Sequence, residues 1–483
     1  MSDLPVNNNN GKPSRPQRLV RNLSVWDAVI MSAGTMGPAV SMYFNTGYAA
    51  GFAGAAMPIS FFISLIACLI LANTIGDFSK LAPSAGAFYT FSSKGFGPRT
   101  GFITGWLLFI GYSTLEPAEE ALFGITASTL MNTYLHIHIS WVLIALASWL
   151  VVLVLSWIGA KQSLKLSLIL FLAEVGVLLI LCMIILVKGG FNGIHASVFN
   201  PSLSPTGFSG IALGMVYGIL SFVGFEAATT LAEEVREPGK NVYRALIGST
   251  LLVGIIYCFS TFAEVNGFGL ANMKALASDP SPFVTLSVKY GNEVLVAFVA
   301  LAGLSSILAV TINVHNAVAR VIYVVGREKI LPASVGKVHK KYNTPTNAII
   351  IQSIVSIILL LVMGLSVGPS NTYGYLGALL TLGIIPVYML AAFGYVRFQA
   401  RQQGGKRQLF KHFILPIVGA LILFIPLIGT LYPVPAAPYN WFPYIIVVYV
   451  IVGIIIIQKL AQEPGRLEQV GKILADAESG DNE

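Results

Sequence analysis

Apolar runs of about 20 residues recur along the chain from Trp26 to Ile457, and the polar residues are gathered into the short stretches between them. Each run is long enough to cross a hydrocarbon core of roughly 30 Å at about 1.5 Å per residue. Backbone groups in lipid must be satisfied within the chain, which leaves helices or closed barrels. The runs lack strict alternation, so they predict helices. Twelve are expected, near 25–48, 55–71, 101–131, 139–158, 166–187, 208–231, 245–268, 294–325, 346–365, 373–396, 413–431 and 442–457.

The pattern predicts a polytopic, all-α membrane protein. Residues 1–22 are polar and basic, carry the Asn7 to Asn10 run, and lack the short apolar core and cleavage site of a secretory signal. They read as a disordered tail. Residues 459–483 read the same way, with one short surface helix. Between them the predicted division is helices 1–5 over 23–200, helices 6–10 over 201–400, and helices 11–12 over 401–458.

Composition agrees: 55% of the 483 residues are apolar and 10% are charged, against about 25% charged in a soluble domain. The net charge of +8 takes its meaning from its position. With twelve spans, 26 of the 29 Lys and Arg fall on the face that carries both termini, leaving Lys188, Lys274 and Lys289 for the other. Basic residues of short loops stay in the cytoplasm. This predicts cytoplasmic termini in a cell-membrane protein and removes the case for a nucleic-acid partner. Cys68, Cys182 and Cys258 all lie in apolar runs, which points to buried thiols instead of a disulfide framework.

The chain has no His/Cys ligand spacing, no paired Asp-rich motif and no Gly-rich nucleotide loop. No catalytic residue, metal or cofactor is expected, and the enzyme class is set aside. His136 and His138 read as a wet outer turn. A secondary transporter, a channel or a non-transporting nutrient sensor remain. Two helices favour the transporter. The first contains Ser32-Ala33-Gly34-Thr35-Met36-Gly37-Pro38-Ala39 near its middle, and the sixth contains Gly214, Gly218, Ser221 and Gly224. Proline removes a backbone donor and glycine weakens a helix. Interrupted helices five apart are the pattern of two inverted halves around a central site. The plain alternative is close helix packing through small residues.

Ser221-Phe222-Val223-Gly224-Phe225-Glu226, then Leu231-Ala232-Glu233-Glu234-Val235 and Pro238, resemble the sixth helix and following loop of the amino acid–polyamine–organocation (APC) superfamily of permeases. Leu81 to Tyr89 resembles that family's loop after the second helix, and Gly95-Phe96-Gly97-Pro98 with Gly105-Trp106 resembles the entry to the third. Arg320, Arg327, Leu331-Pro332 and Thr344-Pro345 resemble the loop after the eighth. The resemblance covers about 23–396. It implies a five-plus-five inverted repeat of the leucine-transporter type plus two C-terminal helices. It also implies alternating access around a midplane site where Gly34, Thr35, Met36, Gly37, Ser221, Phe222, Val223 and Gly224 bind substrate, with Phe222 as lid. Two departures stand out: Pro38 and Ala39 interrupt the usual Gly-rich run, and Glu174 stands where many relatives place a Lys.

Five acids lie at membrane depth: Glu116, Glu119 and Glu120 in the third helix, Glu174 in the fifth and Glu226 in the sixth. Each costs on the order of 2.5–3.5 kcal/mol there, so each is expected to face the interior. No Lys or Arg falls at their depth; they await a proton or a cation. Glu264 reads as wet, at the outer edge. The coupling candidates are Glu116, Glu120 and Glu174, with Ser305 and Ser306 as thin candidates for sodium ligands. The expected function is a secondary active amino acid transporter, proton-coupled and symporting. A polyamine or organic amine carrier or exchanger is the alternative, with Glu116 and Glu120 taking a second ammonium. A small amino acid or amine, protons or sodium, and the bilayer are its expected partners.

Overall fold

Ser24 opens the first helix of the computed structural model. Its Oγ accepts the Asp27 N–H, and Asp27 in turn accepts the Ser24 N–H at 2.7 Å, a capping box that satisfies the first free donors. The structure describes residues 21–81, 86–279, 281–328, 330–402, 408–431 and 437–462. Both predicted tails, apart from their few residues inside these limits, and residues 82–85 of the Leu81–Tyr89 motif lie outside them.

The order of helices is α1 (Val25–Met36), α2 (Pro38–Ala53), α3 (Met57–Leu81), α4 (Phe88–Phe96), α5 (Pro98–Leu135), α6 (Trp141–Ile158) and α7 (Ala160–Val187). Then come α8 (Phe208–Phe222), α9 (Pro238–Phe268), the short α10 (Met273–Ser278) and α11 (Pro282–Tyr290), and α12 (Glu293–Arg327). The last are α13 (Thr346–Val367), α14 (Pro369–Arg401), α15 (Leu415–Ile422), α16 (Phe424–Leu431) and α17 (Phe442–Ala461). Among the described residues there is no strand, only one parallel bridge between Leu23 and Val235.

Among the described residues nine stretches are long and apolar enough to cross a membrane, and the first, Val25–Leu81, spans 57 residues and takes in two of the predicted crossings. The helix α5, which carries Glu116, Glu119 and Glu120, is not among the nine. The predicted 25–48 helix is two helices, α1 and α2, and the predicted 208–231 helix stops at Phe222. Near 413–431 there are two eight-residue helices after a short π segment.

The helices sort by their outer surfaces. Those of α6 and α17 are apolar and open, with Leu143, Leu150, Tyr444 and Val448 exposed, as lipid-facing positions require. The interior holds α1, α2, α5, α8 and α12, whose polar residues turn inward. On the face bearing the N-terminus, here the basic face, Phe78 stacks on Phe91 at 4.8 Å and Tyr395 packs edge-on against Phe78. There α4 and α14 touch backbone to backbone, and a Cβ on Gly95 would lie 2.6 Å from the Gly394 carbonyl oxygen.

Candidate functional site

The first break is local chemistry. Gly37 takes a left-handed φ of +53°, which a side chain disfavours, and Pro38 then starts α2 where no N–H is needed. Lipid offers no water to the freed groups, so side chains serve them. The Met36 carbonyl accepts from Ser41 Oγ at 2.9 Å and has the Tyr257 hydroxyl at 2.8 Å. The Val40 N–H donates to Ser306 Oγ at 3.0 Å. Gly34 lets α12 and α7 come close: a Cβ there would press on the Asn313 side chain and lie 2.8 Å from Ser167 Oγ.

The second break follows α8. Gly224 has a φ of +101°, and a Cβ there would run into Thr35 of α1, so the two breaks touch at this pair. The Gly224 N–H donates to Glu226 Oε2 at 3.1 Å, and the Ala228 N–H donates to Ser32 Oγ of α1 at 2.9 Å. Ser221 Oγ accepts from Asn45 of α2 at 3.0 Å, and the Ser221 carbonyl lies 2.8 Å from the Tyr257 hydroxyl. One phenol on α9 thus stands between both broken ends, donating its single proton to one carbonyl at a time. Phe222 is fully buried and packs edge-on against Tyr257 at 5.1 Å; Val223 is buried with it.

The acids separate. Glu226 is held by the Tyr112 hydroxyl and the Gly224 N–H. Glu174 is fully buried on α7 and neither of its oxygens has a hydrogen-bond partner. Ser306, whose oxygen accepts the Val40 N–H, lies near Glu174. Glu174 therefore stands beside the first break through Ser306. Ser305 does not: it turns back on its own helix, onto the Ala302 carbonyl. Glu116 and Glu120 face elsewhere. Glu116 meets His315 Nδ1 of α12 at 2.9 Å and accepts from Gln352 of α13 at 2.6 Å, while Glu120 accepts from Ser356 at 2.8 Å. The expectation named only Lys and Arg as absent from this depth; the base that meets Glu116 is His315, a residue that an apolar run gives no reason to place. Glu264 is not wet. It is fully buried and accepts from Thr46 of α2 at 2.9 Å, because α10 and the loop after it cover this side of α2. No group of three or more metal-ligating side chains occurs among the described residues.

The family model described as amino acid permease matches residues 27–464, nearly the whole chain and both breaks. The chain belongs to the amino acid permease family. This permease is 24% identical to the branched-chain amino acid permease BcaP of Bacillus subtilis (strain 168), over 69% of this chain and 72% of that one. It is 26% identical to the low-affinity putrescine importer PlaP of Escherichia coli (strain K12), over 83% of this chain and 87% of that one. It is 23% identical to the methylthioribose transporter of Bacillus subtilis (strain 168), over 69% and 73%. The family is one of transporters of small molecules and not an enzyme class, and with its apolar helices the chain is a multi-pass membrane protein.

On the basic face the segments that carry the motifs of the permease are tied to one another. Leu23 donates to the Glu234 carbonyl and accepts from the Arg236 N–H, both at 3.0 Å. Glu234 pairs with Arg320 at 2.5 Å, and Glu233 takes Arg327 through two bonds of 2.7 and 2.8 Å. Tyr89 donates to Glu328. The loop after α8 and the end of α12 thus meet, and α1 is pinned beneath them.

Proposed function

We propose that this permease carries an amino acid or organic amine across the cell membrane by alternating access, with its basic face in the cytoplasm. The observation that carries the reading is the meeting of the two breaks: Thr35 against Gly224, and Tyr257 between the Met36 and Ser221 carbonyls. Freed carbonyls suit an ammonium, and helix N-termini suit a carboxylate. Breaks in the first and sixth of twelve spans fit a five-plus-five inverted repeat. The wet-loop charge bias supports the orientation.

Coupling to protons through Glu174 is the favoured mechanism. It is a carboxylate without a partner, beside the first break, at depth where ionisation is costly. Protonation there would remove that cost. A carrier of carboxylate-free amines is the second reading, favoured by one observation: Pro38 has no N–H and that of Val40 is already given to Ser306. The test is uptake into proteoliposomes of neutral and cationic amino acids beside putrescine, with and without an inward proton gradient. Gradient-driven uptake by the natural chain, lost in Glu174→Gln while exchange of preloaded substrate persists, is the expected result. Gradient-driven uptake unchanged in Glu174→Gln would remove Glu174 from the mechanism.

A further inference from the structure

Glu264 stands apart from both breaks. It lies on α9 two turns outward of Tyr257, about 10 Å along the helix, and is fully buried. Thr46 of α2 donates to its Oε1 at 2.9 Å, and its Oε2 has no partner among the described residues. Next to Thr46, a Cβ on Gly47 would lie 3.6 Å from the Asp279 carbonyl oxygen. The Asp279 side chain is within electrostatic reach of Glu264, and it is partly exposed in the loop after α10. One turn further out on α9, the Gly267 carbonyl accepts from Lys289 at 2.9 Å and from the Tyr290 hydroxyl at 2.8 Å. Lys188 of α7 donates to the Tyr290 carbonyl at 2.6 Å. Both lysines are thus held by carbonyls at the outer face, and Glu264 faces Thr46 and Asp279.

Inward of Glu264 the polar groups continue. Ser260, one turn in on α9, is fully buried and its Oγ has no partner among the described residues. The next hydroxyl, that of Thr261, instead turns back onto the Tyr257 carbonyl at 2.8 Å. Cys182 of α7 is also fully buried; it faces Ser260 and lies within electrostatic reach of Glu264. The two helices are in contact at this level, where a Cβ on Gly267 would lie 3.1 Å from the Ile185 side chain. Glu174 is some two turns inward of Cys182 on α7, about 12 Å, with neither oxygen partnered. Tyr43 of α2 stands within electrostatic reach of both Cys182 and Glu174, its hydroxyl donating to the Val299 carbonyl at 2.7 Å.

The unpartnered groups of Glu264, Ser260 and Glu174 therefore follow one seam between α2, α7 and α9. It runs from Asp279 at the outer face to the first break. Packing alone does not call for such a seam, since a buried polar group without a hydrogen bond is costly and an apolar side chain would fill the same space.

We infer that Glu264 takes protons from the outer face and passes them along this seam, by Ser260 and Cys182, to Glu174. The inference rests on the reading of Glu174 as proton carrier and adds the path by which it is loaded. Opening of the outer side, which alternating access requires, admits water to the seam. The Glu264 acid gives its O–H proton to that water, the water hands one of its own onward over the Ser260 hydroxyl, and the Glu174 carboxylate accepts one. Glu264, left ionised, takes the next proton from the outer water that reaches Asp279. One proton enters the seam for each that arrives.

The experiment is uptake of labelled leucine, lysine and putrescine by the full chain in proteoliposomes under an inward proton gradient, beside exchange of preloaded substrate without one. For each substrate that the gradient drives in the natural chain, Glu264→Gln should lower gradient-driven uptake by about tenfold or more and leave exchange intact. It should also flatten the dependence of uptake on external pH, which loss of a merely structural acid would not do. Thr46→Val removes the hydroxyl that positions Glu264 at nearly constant size, and should lower gradient-driven uptake by about three- to tenfold. Glu264→Asp keeps a titrating group and should recover part of the gradient response. Gradient-driven uptake unchanged in Glu264→Gln overturns the inference, and if that of Glu174→Gln is lost, Glu174 keeps its role. Uptake lost in Glu264→Gln but unchanged in Glu174→Gln overturns the line between them. Exchange lost along with gradient-driven uptake in both Glu264→Gln and Thr46→Val makes Glu264 a structural residue and overturns the inference too. If the gradient drives none of the three substrates in the natural chain, the proton reading falls and this one with it.

Discussion

Tyr257 and Gly224 hold the two breaks together, one by a hydrogen bond and one by having no side chain. Removing the phenol oxygen leaves the Met36 carbonyl to Ser41 alone and strips the Ser221 carbonyl of its hydroxyl neighbour. An unsatisfied buried group costs about 1–3 kcal/mol. Tyr257→Phe should therefore lower the thermal midpoint of the purified permease and weaken substrate binding by about tenfold; a midpoint and affinity unchanged would show that the bridge contributes nothing. Gly224→Ala meets two penalties, the φ of +101° and the collision with Thr35. Uptake should be abolished, and Thr35→Ala in the same chain should recover only part of it, because the backbone strain remains. Gly37 and Pro38 could be read from the sequence, since their backbone preferences are intrinsic. Tyr257, His315 and Gln352 could not: a lone polar residue in an apolar run has no periodic signal, and its partners lie on other helices.

At the level of elements, the basic-face ties join the loop after α8 to α12. Arg327 and Glu233 are largely buried and bidentate. Removing one member of a buried pair costs about 3–5 kcal/mol, much of it from the charge left behind. In a carrier that cost falls on the closed state. Arg327→Ala should raise the rate at which a cysteine at Thr35 (T35C) is labelled from the basic face by tenfold or more, and substrate added from that side should slow it. Labelling at the unaltered rate would mean the tie does not govern access. The segments 231–235 and 320–332 were recognisable as motifs. That they are two halves of one closure was not, because nothing in either segment states its distance from the other.

For the whole molecule, the charge count makes a statement about sidedness. An impermeant maleimide applied to intact cells should label a cysteine at the exposed Lys274 (K274C), and one at the exposed Lys340 (K340C) only after permeabilisation. The reverse pattern would invert the orientation, and labelling of both would overturn the span assignment that separates them. Class and membrane residence follow from the sequence alone, because hydrophobicity and loop charge act locally and add up along the chain. The interruptions of α1–α2 and after α8 follow for the same reason, from glycine and proline geometry. The pairing of acids was decided by the fold. Three carboxylates within five residues of α5 look alike in sequence, yet packing against α12 and α13 gives Glu116 the His315 ring and Gln352 and gives one Glu120 oxygen Ser356, while Glu119 Oε2 has no partner among the described residues. Glu264, near a predicted boundary, is dry because α10 and its loop fold over it. Depth along a helix can be counted from residues. Which neighbour a side chain meets at that depth depends on how distant helices pack.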